Sequence, residues 1–300
     1  MDQKDYLVRC ITADGSVTAM AVDSTETVLT AQQLHHASAV ASAALGRLMT
    51  GALLMGSVMK NDSATVTLRV NGGGPLGPLI AVADNAGRVR GYAQNPEVVV
   101  PLNEKGKLDV GRAVGRDGVL NVVRDFGSGE PYTGQIHLVS GEIAEDLTEY
   151  YGRSEQTPTI CALGVLADRT DHTVILAGGL LVQLLPTATE SAVSRLEQNL
   201  TTLEPVTTMM AKGMTPEDIC RRALDGFEVQ VLDKSDVHYA CNCNMERVKR
   251  AITGLPAAEI RALISESGYV EANCPYCNRA YRVTNAELEQ IAAYKQIEKN

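Results

Sequence analysis

Hydrophobic and polar residues alternate along much of the first 185 positions, which is the period of β-strands with one buried face. The alternation is clear at Tyr6, Val8 and Cys10, and a turn at residues 13–16 leads into a second alternating run. We therefore predict a hairpin over residues 5–23. Further strand-like runs lie at 64–70, 79–82, 89–92, 117–140, 159–166 and 173–185.

Two stretches of the same region have a helical pattern instead. Residues 30–59 are dense in Ala, Leu and Met and predict one long helix or two abutting helices covered on several sides. The apolar run Ala37–Met59 is long enough to cross a membrane, but Arg47 at its centre would cost roughly 2.5–3.5 kcal/mol there. We therefore predict a buried helix, and a further helix over 142–151. Strands and helices mix without regular βαβ alternation, so the predicted fold class is α+β.

The pattern changes after Pro186. Apolar residues recur at helical spacing over 193–203, and a second helix is expected to begin at the cap Thr215. Residues 187–236 contain no strong strand run and carry nine Asp/Glu against five Lys/Arg. This composition predicts a helical linker with narrow apolar stripes. Such a linker needs a surface to lie on, because short isolated helices are marginal in water.

The last sixty residues predict a small separate unit. A unit of this size buries too little apolar surface to be stable without a cross-link such as a bound metal ion. Its helical patterns lie at 244–253, 256–265 and 286–297, and a strand is expected at 278–283. The predicted organisation is a large mixed α+β N-terminal domain over 1–186, a metastable helical linker over 187–236 and a small C-terminal zinc-binding domain over 237–300.

Four of the seven cysteines form two close pairs in this last unit. Cys241 and Cys243 are the first pair, Cys274 and Cys277 the second, and residues 244–273 separate them. A short spacing within each pair lets one turn present two sulfurs, and the spacer lets the chain return to the far side of an ion. We therefore predict that the four cysteines bind one zinc ion per chain in the reduced form.

The zinc either only holds the fold or also acts as a switch. The ligand set alone favours the structural role. In favour of a switch, each pair can close as a disulfide, so that oxidation of both pairs releases the ion. Zinc binding of this kind contributes roughly 10–16 kcal/mol, whereas a whole domain is stable by only about 5–15 kcal/mol. Loss of the metal should therefore unfold the unit and expose the apolar stripes of the linker and the surface beneath them.

The net charge and the polarity of the first residues exclude some classes of function. The formal net charge is −9, and residues 241–300 carry eight Lys/Arg against seven Asp/Glu. Four thiolates and a zinc ion add a charge of about −2 to that region, so that its net charge is about −1. A region without excess positive charge is a poor partner for nucleic acid. The start Met-Asp-Gln-Lys-Asp is too polar for a secretory signal. We expect a cytoplasmic protein whose thiols are reduced or metal-bound, with no membrane partner.

Other candidate chemistry leaves alternatives open. Cys274-Pro275-Tyr276-Cys277 is similar to the dithiol of a thiol-disulfide oxidoreductase, so a zinc-containing enzyme of that class is the alternative function. A third alternative, which the charge disfavours, is a zinc-ribbon adaptor for nucleic acid or the ribosome. His238 is a spare ligand at best, and His35-His36 within a helix cannot chelate together. Three cysteines in apolar settings are interpreted as small core residues, Cys10, Cys161 and Cys220. No catalytic arrangement is evident, so we predict a non-enzyme.

At this point the chain resembles a known family, the redox-regulated 33-kDa heat-shock holdase chaperones. The match is carried by the two cysteine pairs and by two further segments, the Tyr-Tyr-x-x-Ser-Glu-Gln-x-Pro-Thr stretch at 150–159 and Ala-Gly-Gly at 177–179 leading to Gln-Leu-Leu-Pro at 183–186. The resemblance spans the whole chain.

The resemblance implies an ATP-independent holdase of the stress response, which binds unfolding client proteins and is switched on by hypochlorous acid or by peroxide with heat. It implies that Cys241, Cys243, Cys274 and Cys277 bind zinc when reduced. On oxidation it implies next-neighbour disulfides, here Cys241–Cys243 and Cys274–Cys277, followed by unfolding of the linker and formation of a homodimer.

Overall fold

A computed structural model describes residues 4–297 of the 300-residue chain. Contacts along the chain group it into two compact units, residues 1–240 and 241–300. The first unit therefore contains the predicted N-terminal domain together with the predicted linker. The domain borders at 186 and 236 remain predictions of the sequence.

The described residues mix strands and helices, which confirms the α+β class. The strands are β1 Tyr6–Thr12, β2 Val17–Asp23, β3 Thr65–Asn71, β4 Leu79–Asp84, β5 Arg88–Ala93, β6 Val119–Asp125, β7 Tyr132–His137, β8 Thr159–Ala167, β9 Val174–Leu184, β10 Val229–Asp236, β11 His238–Tyr239, β12 Tyr269–Asn273 and β13 Ala280–Thr284. The helices are α1 Thr25–His35, α2 Ala39–Gly56, α3 Val110–Val114, α4 Ala144–Ser154, α5 Glu190–Thr201, α6 Val206–Ala211, α7 Pro216–Ala223, α8 Met245–Thr253, α9 Ala257–Ala262 and α10 Asn285–Ile297.

Two sheets enclose α2 in the first unit. One has the strand order β10-β1-β2-β9-β8 and the other the order β11-β5-β4-β3-β6-β7. Helix α2 packs against β8 and β9 of one sheet and against β3, β4 and β5 of the other. Its Leu45, Leu48, Met49 and Leu53 are buried, and Arg47 forms an ion pair with Glu142. The prediction of a buried helix is therefore confirmed, because its apolar side chains face protein on both sides.

The helical stretch 30–59 is two helices rather than one, so that His35 is the last residue of α1 and His36 lies in the break between the helices. His36 has a left-handed backbone with φ of 48°, which ends α1 after His35. Ser38 then caps α2, because its side chain accepts a hydrogen bond from the Ala41 amide at 3.2 Å.

The Tyr-Tyr segment of the resemblance is part of the core. The Tyr150 side chain is fully buried and its hydroxyl donates to Glu155 Oε1 at 2.7 Å. Arg124 Nη2 lies 3.2 Å from the same carboxylate oxygen and joins α4 to β6. The Tyr150 ring fills the space that a side chain at Gly134 of β7 would need. This segment therefore fixes α4 to the second sheet.

The linker helices cover the outer face of the first sheet. Residues of β1 alternate, so that Leu7 faces the core around α2, whereas Tyr6, Val8 and Cys10 face the linker. The buried cluster on that face also holds residues of β2, β9 and the three linker helices: Val17, Ala19, Ala21, Leu180, Val182, Leu196, Val206, Met209, Met210, Ile219, Cys220, Ala223 and Leu224. The apolar stripes predicted from the sequence thus lie on the sheet.

Two paired glycines let α6 approach this face. Gly164 of β8 and Gly178 of β9 are register partners. A Cβ at Gly164 would lie 2.7 Å from Thr207 Cγ2, and one at Gly178 would lie 2.6 Å from Met210 Sδ. The Ala-Gly-Gly segment of the resemblance therefore has a physical role, because any larger residue at Gly178 would push α6 away.

The expectation of a linker without strands is wrong at its end, where β10 pairs antiparallel with β1. The sequence did not reveal it because β10 is an edge strand whose side chains are mostly exposed, Val231 and Leu232 among them. Its stability comes from main-chain pairing and from ion pairs such as Arg9 with Asp233 at 2.5 Å. A strand of this kind carries little of the alternating apolar signal.

Candidate metal centre

The first cysteine pair lies at the start of the second unit, in the loop before α8. Asn244 ends this loop, and its side chain accepts a hydrogen bond from the Arg247 amide at 2.9 Å. This N-cap directly follows Cys243, and α8 begins at the next residue, Met245. Cys241 and Cys243 therefore lie on one short loop segment, and the capped start of α8 fixes the direction in which the chain leaves that segment.

The second pair lies in the connection between β12 and β13, which are antiparallel neighbours. The Cys274 amide donates to the Arg279 carbonyl oxygen at 3.0 Å, and the Asn278 amide donates to the Cys274 carbonyl oxygen at 2.9 Å. Asn278 has a left-handed backbone with φ of 55°, which Asn tolerates better than most residues. The tight turn brings Cys277 back beside Cys274, and the strand expected over 278–283 is confirmed as β13.

The four sulfurs converge. Cys241 Sγ lies 3.7 Å from Cys274 Sγ, and Cys243 Sγ lies 3.4 Å from Cys277 Sγ. All four sulfurs lie within 4.8 Å of one another. Two contacts below 4 Å therefore join the pairs to each other, as expected when both pairs face one central point.

The dimensions and donor set fit zinc. A tetrahedral zinc with zinc–sulfur bonds of about 2.3 Å has sulfurs about 3.8 Å apart. The observed sulfur distances of 3.4 and 3.7 Å lie slightly below this value. Four thiolates are the soft ligands that select zinc over the hard cations magnesium and calcium. Cys241, Cys243, Cys274 and Cys277 would therefore hold the ion.

The surroundings of the thiols differ. Burial raises the pKa of Cys241 to about 12 and also raises the pKa of Cys277. Burial acts in the same direction on Cys243, but hydrogen bonds from Tyr281 and from the neighbouring thiols outweigh it and lower the pKa to about 7. Metal ligation requires thiolates, so binding at neutral pH releases protons from this cluster.

The apolar core of the second unit is small. Its buried cluster among the described residues consists of Ile252, Ile260, Val283, Leu288 and Ala292. These residues come from α8, α9, β13 and α10, so that each element contributes only one or two buried side chains. A core of this size supplies little stability on its own. A bound metal is therefore the main cross-link available to this unit.

Tyr281 is a neighbour of the site that the sequence did not single out. It lies on β13, and its hydroxyl donates to Cys243 Sγ at 3.0 Å. A second tyrosine, Tyr294 on α10, is largely exposed. The sequence does not indicate that Tyr281 contacts Cys243. The contact depends on how the β12–β13 turn folds back.

We expect Tyr281→Phe to weaken zinc binding about 10–100-fold, because hydrogen bonds to ligands stabilise the charged thiolate. Zinc affinity is measured by competition with a chromogenic chelator. Tyr294→Phe removes a hydroxyl from an exposed ring of the same unit and should leave the affinity unchanged. Equal affinities for the two variants would show that the Tyr281 hydrogen bond does not contribute.

The other candidate residues lie elsewhere. His238 is exposed in β11 of the first unit and is not among the grouped ligands. His35 is buried at the end of α1, with Nε2 3.4 Å from the Tyr239 hydroxyl. Cys10, Cys161 and Cys220 are buried in the first unit, as expected of small core residues. The roles of the four grouped cysteines as zinc ligands and redox switch remain predictions.

Comparison with known proteins places this arrangement in context. A family model described as Hsp33 protein matches residues 5–284. A "33 kDa chaperonin" of Bacillus licheniformis is 45% identical over 287 residues, covering 96% of this chain and 98% of the relative. A "33 kDa chaperonin" of Acetivibrio thermocellus is 41% identical over 297 residues, covering 99% of this chain and 100% of the relative. A crystal structure of a 33 kDa chaperonin, a heat shock protein 33 homologue from Thermotoga maritima, has a TM-score of 0.88 at 34% identity, covering 98% of this chain and 100% of that one.

Proposed function

Because this chain belongs to the Hsp33 family, and because its relatives carry the name of a chaperone, we propose that it is a redox-regulated, ATP-independent holdase. In this proposal the protein binds unfolding clients after oxidation and performs no chemical turnover. The observation that carries the redox part is the convergence of four thiols within 4.8 Å in a unit with a very small apolar core.

In the reduced form, Cys241, Cys243, Cys274 and Cys277 hold one zinc ion, which supplies a cross-link between the α8 loop and the β12–β13 turn. On oxidation each pair of thiolates loses two electrons to hypochlorous acid, which is reduced to chloride and hydroxide, and forms one disulfide, and the zinc ion is released. We propose the next-neighbour bonds Cys241–Cys243 and Cys274–Cys277. Although the sulfur contacts of 3.4 and 3.7 Å join different pairs, a short loop closes at lower entropic cost once the unit loosens.

Loss of order in the second unit reaches the linker through the chain itself. Cys241 follows β11 after one residue, and β11 follows β10 after one residue. Most β10 side chains are exposed, so little apolar burial keeps β10 on β1. We propose that β10 detaches first once residues 241–297 unfold, since an exposed strand with few buried contacts opens at low free-energy cost. The helices α5 to α7, whose apolar residues are buried on the same sheet, then follow.

The detached linker would uncover two apolar surfaces. One is the outer sheet face with Tyr6, Val8, Leu180 and Val182, and the other is the inner side of the linker helices. Both are rich in aliphatic side chains, which bind apolar segments without sequence specificity. We propose that these surfaces hold clients, that the oxidised protein forms a homodimer, and that it works in the cytoplasm without nucleic-acid or membrane partners.

The proposal is tested by adding hypochlorous acid stepwise to the reduced, zinc-loaded protein. Zinc release, free thiols and light scattering by a denaturing client are measured at each step. We expect loss of four thiols, release of one zinc and protection of the client at near-stoichiometric ratio to occur together, without ATP. Equal protection by the reduced protein would contradict the switch. Catalytic turnover of insulin reduction would instead favour the alternative, a zinc-containing thiol-disulfide oxidoreductase.

A further inference from the structure

One methionine of the linker lies directly against the main chain of the first sheet. Met210 is on α6, the six-residue helix that packs against β8 and β9. A Cβ added to Gly178 of β9 would lie 2.6 Å from Met210 Sδ and 3.3 Å from its Cε. The end of the thioether therefore fills the space that a side chain at Gly178 would need.

This contact is a large part of what holds α6 on the sheet. The buried residues of α6 are Val206, Met209 and Met210. A helix of six residues is not stable in water by itself, so its position depends on these three side chains. Met210 is the most exposed of them at 9%, compared with 3% for Val206 and 1% for Met209. Met210 therefore lies nearest to the solvent border of the cluster.

The space over Gly178 suits a thioether and not a sulfoxide. Gly178 belongs to an interior strand and is paired with Asp23 of β2 on one side and with Gly164 of β8 on the other, so its main chain is engaged in the sheet. Gly164 is itself covered, because a Cβ there would lie 2.7 Å from Thr207 Cγ2. A sulfoxide oxygen is polar, and burying it without a hydrogen-bond donor is unfavourable. Oxidised Met210 is therefore disfavoured in its place on the sheet.

We propose that Met210 is an oxidation site, at which conversion to the sulfoxide keeps α6 off the sheet. Hypochlorous acid is the oxidant. The thioether sulfur attacks the chlorine atom and hydroxide leaves, after which water adds to the sulfur, chloride leaves and two protons are lost. The sulfur loses two electrons and the chlorine gains them, so that the products are the sulfoxide and chloride.

The packing of Met210 decides when the reaction occurs and what it changes. The sulfur is packed against Gly178 while α6 lies on the sheet, so oxidation is fastest when α6 lifts. In the proposed function, on which this consequence rests, that opening follows oxidation of the four grouped cysteines. Thiol reductants break S–S bonds, whereas a sulfoxide is restored by methionine sulfoxide reductases. Oxidised Met210 therefore keeps the linker open after the cysteines are reduced, and closure then depends on those reductases.

The test uses the full-length, zinc-loaded protein, treated with hypochlorous acid and then with dithiothreitol and zinc, so that thiol oxidation is reversed. Fragmentation mass spectrometry should find one added oxygen on Met210. Zinc content should return to its starting value, whereas the α6 amides should still exchange roughly tenfold faster or more than before treatment. Methionine sulfoxide reductases for both epimers should restore the starting rate in the same sample. An unmodified Met210, or a modified Met210 with unchanged α6 exchange, would overturn the proposal.

Two leucine variants separate Met210 from the other methionines, because leucine conserves the apolar volume and has no sulfur to oxidise. Met210→Leu should regain slow α6 exchange after dithiothreitol and zinc, without the reductases. Met214→Leu is the matched control, since Met214 follows α6 and is half-buried, and it should keep the fast exchange of the oxidised wild type. Fast exchange that persists in oxidised Met210→Leu would place the effect at another residue and overturn the proposal.

The readouts are added oxygen, zinc content and hydrogen exchange, and none of them uses a client. A failure of the holdase proposal alone would therefore leave these results intact. Conversely, a protein that protects clients after oxidation but closes fully with dithiothreitol and zinc would keep the proposed function and lose the Met210 site.

Discussion

Replacing Cys274 by serine is expected to unfold residues 241–297 while α2 and the central strands of the two sheets, such as β9, stay folded. Cys274 is the most buried of the four grouped cysteines, and its main chain closes the β12–β13 turn. Serine offers a hard hydroxyl that binds zinc poorly. The loss removes most of a contribution of roughly 10–16 kcal/mol, whereas a domain of ordinary size is stable by only about 5–15 kcal/mol. Five buried apolar residues do not replace it.

Hydrogen exchange measured by mass spectrometry reads out this prediction segment by segment. Peptides from α8, α9 and α10 should lose their protection, and zinc content should fall to a small fraction of one ion per chain. Peptides from α2 and β9 should keep theirs. Cys161→Ser is the matched control, since it alters a buried thiol of the first unit and should retain full zinc. Protection that persists over 245–297 in metal-free Cys274→Ser would show that the apolar core suffices without a metal.

Much of the fold could be predicted from the sequence, because its signals are local. The alternation at Tyr6, Val8 and Cys10 predicted a strand whose other face packs on α2 through Leu7. The density of apolar residues over 30–59 predicted one or two helices covered on several sides, and α2 lies between two sheets. In each case the residues that generate the pattern are the residues that become buried.

The features that the sequence did not reveal depend on long-range contacts. Strand β10 is held by main-chain pairing with β1, and its exposed side chains give no period that indicates a strand. The contact of Tyr281 with Cys243 joins two residues that are far apart in the chain. The spacing of the four cysteines did predict their convergence, because two close pairs constrain geometry locally. Single residues that meet only in the folded chain carry no such spacing.

The linker is more vulnerable to a single substitution than the rest of the first unit, and Ile219→Asp should open it without oxidation. Ile219 lies on α7 and is 1% exposed in the cluster against β1 and β2. The substitution removes a buried aliphatic side chain and places a carboxylate with no cationic partner in its position, at a cost of roughly 4 kcal/mol or more. Helices α5 to α7 are short, and the buried residues of α5 are only Ala192 and Leu196. The free-energy cost of the substitution should therefore exceed the free energy that keeps these helices on the sheet.

We therefore expect Ile219→Asp to keep its zinc, to lose exchange protection over 190–223 and to prevent client aggregation in the reduced state. Gln198→Asp is the matched control, because it adds the same charge at an exposed position of α5 and should behave as the reduced wild type. Zinc content, hydrogen exchange and client light scattering are measured on the same samples. If Ile219→Asp opens the linker and still fails to protect a client, the faces between linker and sheet are not where clients bind. In that case linker opening alone does not produce the active state, and metal release must activate the protein through a different structural change.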